Sequence, residues 1–241
     1  MRDNADAMPF RPLPFSRLID LLAQHYGEPA PPDVTEPFAM ILWENVAYLA
    51  NDTKRSQAFE ELRAKTGLTP AGIRKAKDSV LLAIAGKGIV PGAAVEKLRR
   101  AAEIARDSFG DNLATILTKP VAAAKKDLQK FPAIGEPSAE KILLFNSKYP
   151  VLALESNGLR VLVRLGYAAE HKNYSTMYKG AQRALVSQMP ADCEALIRAH
   201  QLLRLHGQEI CKRSTPLCPT CPIRANCHFF LETAAVLDKR A

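Results

Sequence analysis

Apolar residues along this chain recur at helical spacing and almost nowhere at the period of two that marks a strand. The segment FSRLIDLLAQHY (15–26) gathers Leu18, Ile19, Leu21 and Leu22 on one side, which predicts a short amphipathic helix. The following EPAPPDVTEP cannot continue it and reads as a connector. A strongly apolar helix is expected from Phe38 to Tyr48, and another over TKRSQAFEELRAKTG, closed by Gly67 as a C-terminal cap. TPAGIRKAKDSVLLAIAG predicts one further helix with Pro70 near its start. VPGAAVEKLRRAAEIARDSFG and KPVAAAKKDLQK predict two more. The expected class is all-α, with many short helices and tight connections.

One connection is unusually short. In LQKFPAIGEPSAEKILLF (128–145) a helix should end near Lys130, turn over Phe131-Pro132-Ala133-Ile134-Gly135, and restart with Pro137 in its first turn. Ala139, Ile142 and Leu143 would face inward, and Ile134 would point back between the two helices. Main-chain N–H groups at the start of the second helix would then point outward, where they can hold a phosphate without reading a base. An ordinary packing corner between two helices fits the same pattern.

Composition narrows the partner. The 241 residues are 47% hydrophobic, enough for the core of one large domain or two small ones. No apolar run approaches the roughly 18 residues needed to cross a bilayer. Lys and Arg outnumber Asp and Glu by 33 to 25, a net charge of +8 that favours a polyanion. Aromatic residues are only 7%, which argues against a broad base-stacking platform. The opening residues MRDNADAMPF lack a secretory pattern, so a reducing, cytoplasmic setting is expected.

The strongest chemical signal lies near the C-terminus. Cys211, Cys218, Cys221 and Cys227 are spaced C-x6-C-x2-C-x5-C in a Pro-rich, basic loop with too little apolar content to fold by burial. Metal ligation would supply the missing free energy. Zinc sites usually pair their cysteines across a longer linker, whereas this uneven spacing suits the wider corners of a 4Fe-4S cluster. Zinc, and free or disulfide-bonded thiols, are the alternatives. Cys193 lies in a helical stretch and reads as a small packed residue.

Taken in order, the turn Phe131 to Ala139 (hPxhGxxxA), the acidic segment ALESNGLRV (153–161), Leu205-His206-Gly207 and the four cysteines resemble the endonuclease III family over about residues 36 to 230. These are the helix-hairpin-helix DNA glycosylases with an iron–sulfur cluster. The resemblance implies a two-lobed, all-helical fold. A six-helix barrel carrying the hairpin would span 37–148. The other lobe would combine 1–36 with 149–241 and hold the cluster loop at 211–227. Duplex DNA would lie across the cleft, and a damaged or mispaired base would be flipped into a pocket between the lobes. The protein would act as a monomer without a membrane, in the cytoplasm or on the nucleoid.

The resemblance also assigns residues. Glu155 occupies the family's catalytic Asp position. Its extra methylene would shift the carboxylate by about 1 Å, and a displacement of that size can lower a rate roughly 10²-fold. Capping the helix that starts near Asn157 is its other role. Strand-cleaving members carry a Lys where this chain has Pro137, and proline cannot form the Schiff base a lyase needs. Ala133, Ile134, Gly135 and Ser138 would form the phosphate-binding turn, with Lys141 one turn on. Ala133 replaces the first hairpin glycine, and a Cβ there costs about 1 kcal/mol if φ is positive. Glu136, where relatives are often basic, would repel a phosphate.

Other contacts follow more loosely. Lys212 and Arg213, with Arg224, would meet the DNA backbone from the cluster loop. Arg160 and Arg164 share a helix face suited to DNA or to an internal ion pair. Asn45 and Tyr48 fall where relatives place the wedge that fills the hole left by a flipped base, while Trp43 reads as core. His206 would order the loop by hydrogen bonding. The implied activity is base excision without an efficient lyase step. The rival readings are a catalytically silent DNA- or lesion-binding protein and a redox module.

Overall fold

The computed structural model describes residues 10–47 and 50–238, with side chains as far as Thr233. Among these residues the secondary structure is helical, with no strand. The chain divides into two compact units, Pro31–Tyr149 and Met1–Ala30 with Pro150–Ala241.

The second unit opens with α1, Phe15–Tyr26, whose Phe15, Leu18, Ile19, Leu22 and Ala23 are buried. The first unit then runs from α2 to α9. Helix α2, Pro37–Asn45, starts with Pro37 at its first turn and with the Glu36 carboxylate accepting from Ala39 N at 2.7 Å. Phe38 to Leu42 are all buried, so the helix is apolar all round and runs through the core. It ends earlier than its apolar pattern predicts, at Asn45 instead of Tyr48. Helix α3, Asp52–Thr66, is capped by Asn51 and closed by left-handed Gly67, as its sequence indicates.

The stretch expected to form one helix is two: α4, Pro70–Lys75, and α5, Asp78–Ala85. Ala76 and Lys77 are extended between them. The break is held by Arg99 of α6, Pro91–Phe109. Its guanidinium donates to the carbonyls of Ile73, Arg74 and Ala76 and meets the Asp78 carboxylate. These contacts give partners to the carbonyls left open at the end of α4. Helix α6 packs against α2, α4 and α5.

A short α7, Ala114–Leu117, leads to α8, Val121–Leu128, and α9, Glu136–Phe145. Helices α8 and α9 form the hairpin. They are fastened by Lys125, whose ammonium meets Glu136 at 3.0 Å and Glu140 at 2.6 Å. Glu140 is buried. Lys125→Met is expected to destabilise the protein by about 3 kcal/mol, because it removes the ammonium paired with a buried carboxylate. Adding Glu140→Leu should recover most of that loss, and denaturant midpoints of the single and double variants check it.

The second unit resumes with α10, Ser156–Arg164, α11, Tyr174–Leu185, α12, Cys193–Glu209, and α13, His228–Asp238. Helix α12 lies against both α1 and α10. Gly207 makes the second contact possible. A Cβ at that position would stand 2.7 Å from Asn157 Cβ and 2.7 Å from Asn157 O. Gly207→Ala should therefore push α12 off α10 and cost about 2 kcal/mol by overpacking, read as a fall in thermal midpoint. No helix among the described residues is long and apolar enough to cross a membrane.

Candidate functional site

In the first unit the turn between α8 and α9 is built from the inside. Phe131 is buried and stacks on Phe109, with ring centroids 5.8 Å apart. Ile134 is buried beside the two helices. Ala133 and Gly135 face outward. Ala133 has φ 60°, the left-handed region that disfavours a Cβ, so the expected strain at this position is present. The N–H groups of Ala133, Gly135 and Ser138 find no acceptor among the described residues. They remain available at the start of α9, a ten-residue helix. Ile134 differs: its N–H donates to Phe131 O at 3.2 Å, which removes it from the expected phosphate-binding set.

Three further expectations are corrected. Asn45 is buried and cannot act as a wedge. Its Nδ2 donates to Ile41 O at 2.8 Å and to Pro132 O at 2.9 Å, so it ties the end of α2 to the hairpin turn. Lys141 is drawn into an ion pair with Glu44 and links α9 to α2. Glu136, expected to repel an incoming anion, shares the ammonium of Lys125. Tyr48 lies outside the described residues.

Next to the turn stands a charge cluster that the sequence did not announce. Asp127 receives Lys119 Nζ at 2.6 Å and Lys130 Nζ at 2.6 Å. Burial raises the Asp127 pKa, but the bonds from the two lysines outweigh it and leave the group below the usual carboxylate range. Both ammonium groups lie 5.5 Å from the centroid of the Phe109 ring. Elsewhere in this unit, Ile89 and Val90 project from the connection between α5 and α6, and Ile89 is 67% exposed.

In the second unit Glu155 is the N-cap of α10. Its Oε1 accepts from Gly158 N at 2.7 Å, and its Oε2 accepts from Asn157 Nδ2 at 2.9 Å. The side chain is half-buried. Asn157 Oδ1 in turn accepts from Arg160 at 2.8 Å, and Arg160 also donates to Gly207 O at 2.7 Å and Cys211 O at 2.9 Å. A continuous chain of hydrogen bonds thus runs from the carboxylate to the cysteine loop. Arg164 continues the work of Arg160: it donates to Lys212 O at 2.7 Å and Arg213 O at 2.8 Å, and its guanidinium lies over Phe229. Both arginines, expected on DNA or in an internal ion pair, serve as clamps on the loop. The side chains of Lys212 and Arg213 are exposed, as is Arg224.

Cys211, Cys218, Cys221 and Cys227 line one cavity together with Val161, Leu165, Ile210 and Ile223. None of the four is joined in a disulfide. Among the described residues no three His, Cys, Asp or Glu side chains are gathered closely enough to hold a single metal ion. Donors point at the sulfurs: Ile223 N–H at Cys221, Phe230 and Phe229 N–H at Cys227, and Arg164 at Cys211 Sγ, 3.5 Å away. Buried His206 stands with Nε2 3.7 Å from Cys221 Sγ and Nδ1 3.0 Å from the Tyr26 hydroxyl. Burial lowers His206 to a pKa of about 4, so the ring is neutral, and a hydroxyl donating to Nδ1 leaves Nε2–H facing the sulfur. Burial pushes the Cys221 thiol up to about 11, and the other three cysteines add to the shift. Four cysteines whose thiolates would repel one another, with N–H donors aimed at them, suit a cationic centre that would hold them as thiolates.

This geometry has counterparts. A trapped endonuclease III–DNA covalent intermediate matches with a TM-score of 0.72 at 17% identity, covering 92% of this chain and 99% of that one. A thermostable thymine-DNA glycosylase matches at 0.69 and 12% identity, covering 90% of this chain and 97% of that one. At such identities the likeness defines the fold, an all-helical helix-hairpin-helix protein. The endonuclease III of Thermotoga maritima is 25% identical over 199 residues, 81% of this chain and 84% of that protein. The endonuclease III of Rickettsia prowazekii is 32% identical over 111 residues, so the match spans about half its length, 48%, and 45% of this chain. No family model matches the chain. In sequence and in fold the chain is similar to the endonuclease III proteins.

Proposed function

We propose that this chain is a base-excision DNA glycosylase that removes a damaged or mispaired base from duplex DNA and has no efficient strand-cleaving step. The observation that carries the reading is the half-buried Glu155 carboxylate, fixed at the head of α10 by Gly158 N–H and Asn157. A carboxylate so placed can stabilise the cationic sugar that forms as the base departs and can activate water against it. A lyase step requires an amine on the sugar carbon. Pro137 has none, and Lys141 is held by Glu44. The relatives named endonuclease III and the thymine-DNA glycosylase support the reaction class.

Cys211, Cys218, Cys221 and Cys227 are the ligands for a 4Fe-4S cluster in this reading. When bound, the cluster would supply a rigid crosslink that shapes the loop carrying Lys212 and Arg213. Ala133, Gly135 and Ser138 offer N–H groups to a phosphate, and Lys212 and Arg213 offer charge. The wedge role passes from Asn45 to Ile89 and Val90, because an apolar side chain that enters a base step must first be exposed.

A second reading, a DNA- or lesion-binding protein without catalysis, has one observation in its favour: both Glu155 oxygens already accept a bond within the chain. A base-release assay on oxidised, alkylated, deaminated and mismatched duplexes separates the two, with alkali distinguishing excision from strand scission. Release of one base class, with cuts only after alkali, is expected. Duplex binding without release on every substrate would favour the second reading. Affinity that stays flat between low and moderate salt would overturn both, since several phosphate contacts require a steep fall.

A further inference from the structure

Tyr174 is the first residue of α11, and its side chain has an unusual setting. It is 39% exposed. It is nonetheless held on two sides. Its hydroxyl donates to Leu154 O at 3.4 Å, the carbonyl just before Glu155. Its ring stacks on Tyr178, with centroids 6.2 Å apart and planes inclined by 21°. Tyr178 is fully buried and is itself fixed by Gln182, which donates to the Tyr178 hydroxyl at 3.1 Å and to Leu152 O at 3.3 Å. Burial pushes the Tyr174 phenol up to about 12, and the nearby charge of Glu155 adds to the shift, so the group stays neutral.

Together these contacts use one face of the ring and the hydroxyl, and leave part of the side chain exposed while anchoring it on the carbonyl next to Glu155. We infer that Tyr174 is a specificity-determining residue whose open aromatic surface stacks on the nucleobase drawn out of the duplex, and so positions it against Glu155. The inference rests on the glycosylase reading for the role of Glu155. The ligand is a planar aromatic base, and the hydroxyl takes no part in gripping it. Base–aromatic stacking is typically worth 1–3 kcal/mol by alanine substitution, about 5- to 150-fold in affinity.

The test compares two labelled duplexes, one with a single unpaired adenine already outside the stack and one with an abasic analogue at the same place. Binding of the full chain to each is measured by fluorescence anisotropy. The parent should prefer the base-bearing duplex by about 5-fold or more. Tyr174→Phe should keep that preference, and Tyr174→Ala should lose it while holding the abasic duplex as before. Tyr174→Leu, which preserves apolar cover for Tyr178, should lose it too. The inference is overturned by a parent that does not discriminate, by a Tyr174→Leu variant that still does, or by a Tyr174→Phe variant that does not. Because the readout is binding, it is independent of base release: a chain that releases no base can still pass this test, and one that releases a base can fail it.

Discussion

Glu155→Gln is expected to reduce base release by about 10²- to 10⁴-fold, the range for loss of a positioned acid or base. The substitution is chosen to separate chemistry from structure. Glu155 caps α10 through Gly158 N–H, and the carbonyl oxygen of glutamine can accept the same bond. Its amide group, however, carries no charge and would meet Asn157 Nδ2, a donor, where the carboxylate accepted. The cap therefore survives in part, at a cost of about 1 kcal/mol or less, while the negative charge disappears. Single-turnover release and thermal midpoint, measured on the same sample, read the two effects apart. A steep fall in rate with a small shift in midpoint assigns the carboxylate to the reaction. An unchanged rate with a lowered midpoint leaves Glu155 as a cap and nothing more.

The second large effect is expected at the cysteine loop. Cys221→Ala should give protein that lacks iron and visible absorbance after anaerobic purification, and whose residues 211–227 exchange amide hydrogens freely. The reason lies in how little else holds this segment. Of its side chains, only Ile223 and Cys227 are buried, and the main-chain contacts from Arg160 and Arg164 reach only the carbonyls of 211–213. Metal binding to small sites contributes on the order of 10 kcal/mol, far more than those few contacts can replace. DNA affinity should fall as well, because Lys212 and Arg213 would lose their fixed places. Parent protein that is colourless, iron-free and ordered through the loop would instead remove the cluster from the account.

Much of the fold follows from local signals. Gly67 ends α3 in the left-handed conformation its position indicates, and the strain expected at Ala133 is there. Such features depend on a few adjacent residues. What escaped depends on distant ones. The break between α4 and α5 is set by Arg99, more than twenty residues further along. Asn45 looks in sequence like any polar residue at a helix end. Its burial is decided by the carbonyl of Pro132, which only the folded hairpin brings near. Lys141 and Lys125 were indistinguishable from solvated charges until Glu44, Glu136 and Glu140 came within reach. At the candidate sites, the four cysteines and the turn were legible because ligand and turn spacing is local. Tyr174 was not, since its value comes from where α11 sets it beside Leu154.

The lysines on Asp127 carry a thermodynamic consequence. A free lysine side chain has about 2 kcal/mol of rotamer entropy to surrender when it is immobilised. Lys119 and Lys130 have already surrendered part of it during folding, anchored by one carboxylate against an aromatic ring. A polyanion arriving at that corner would meet cations whose directions are set in advance, and less of its electrostatic attraction would be consumed in stilling them.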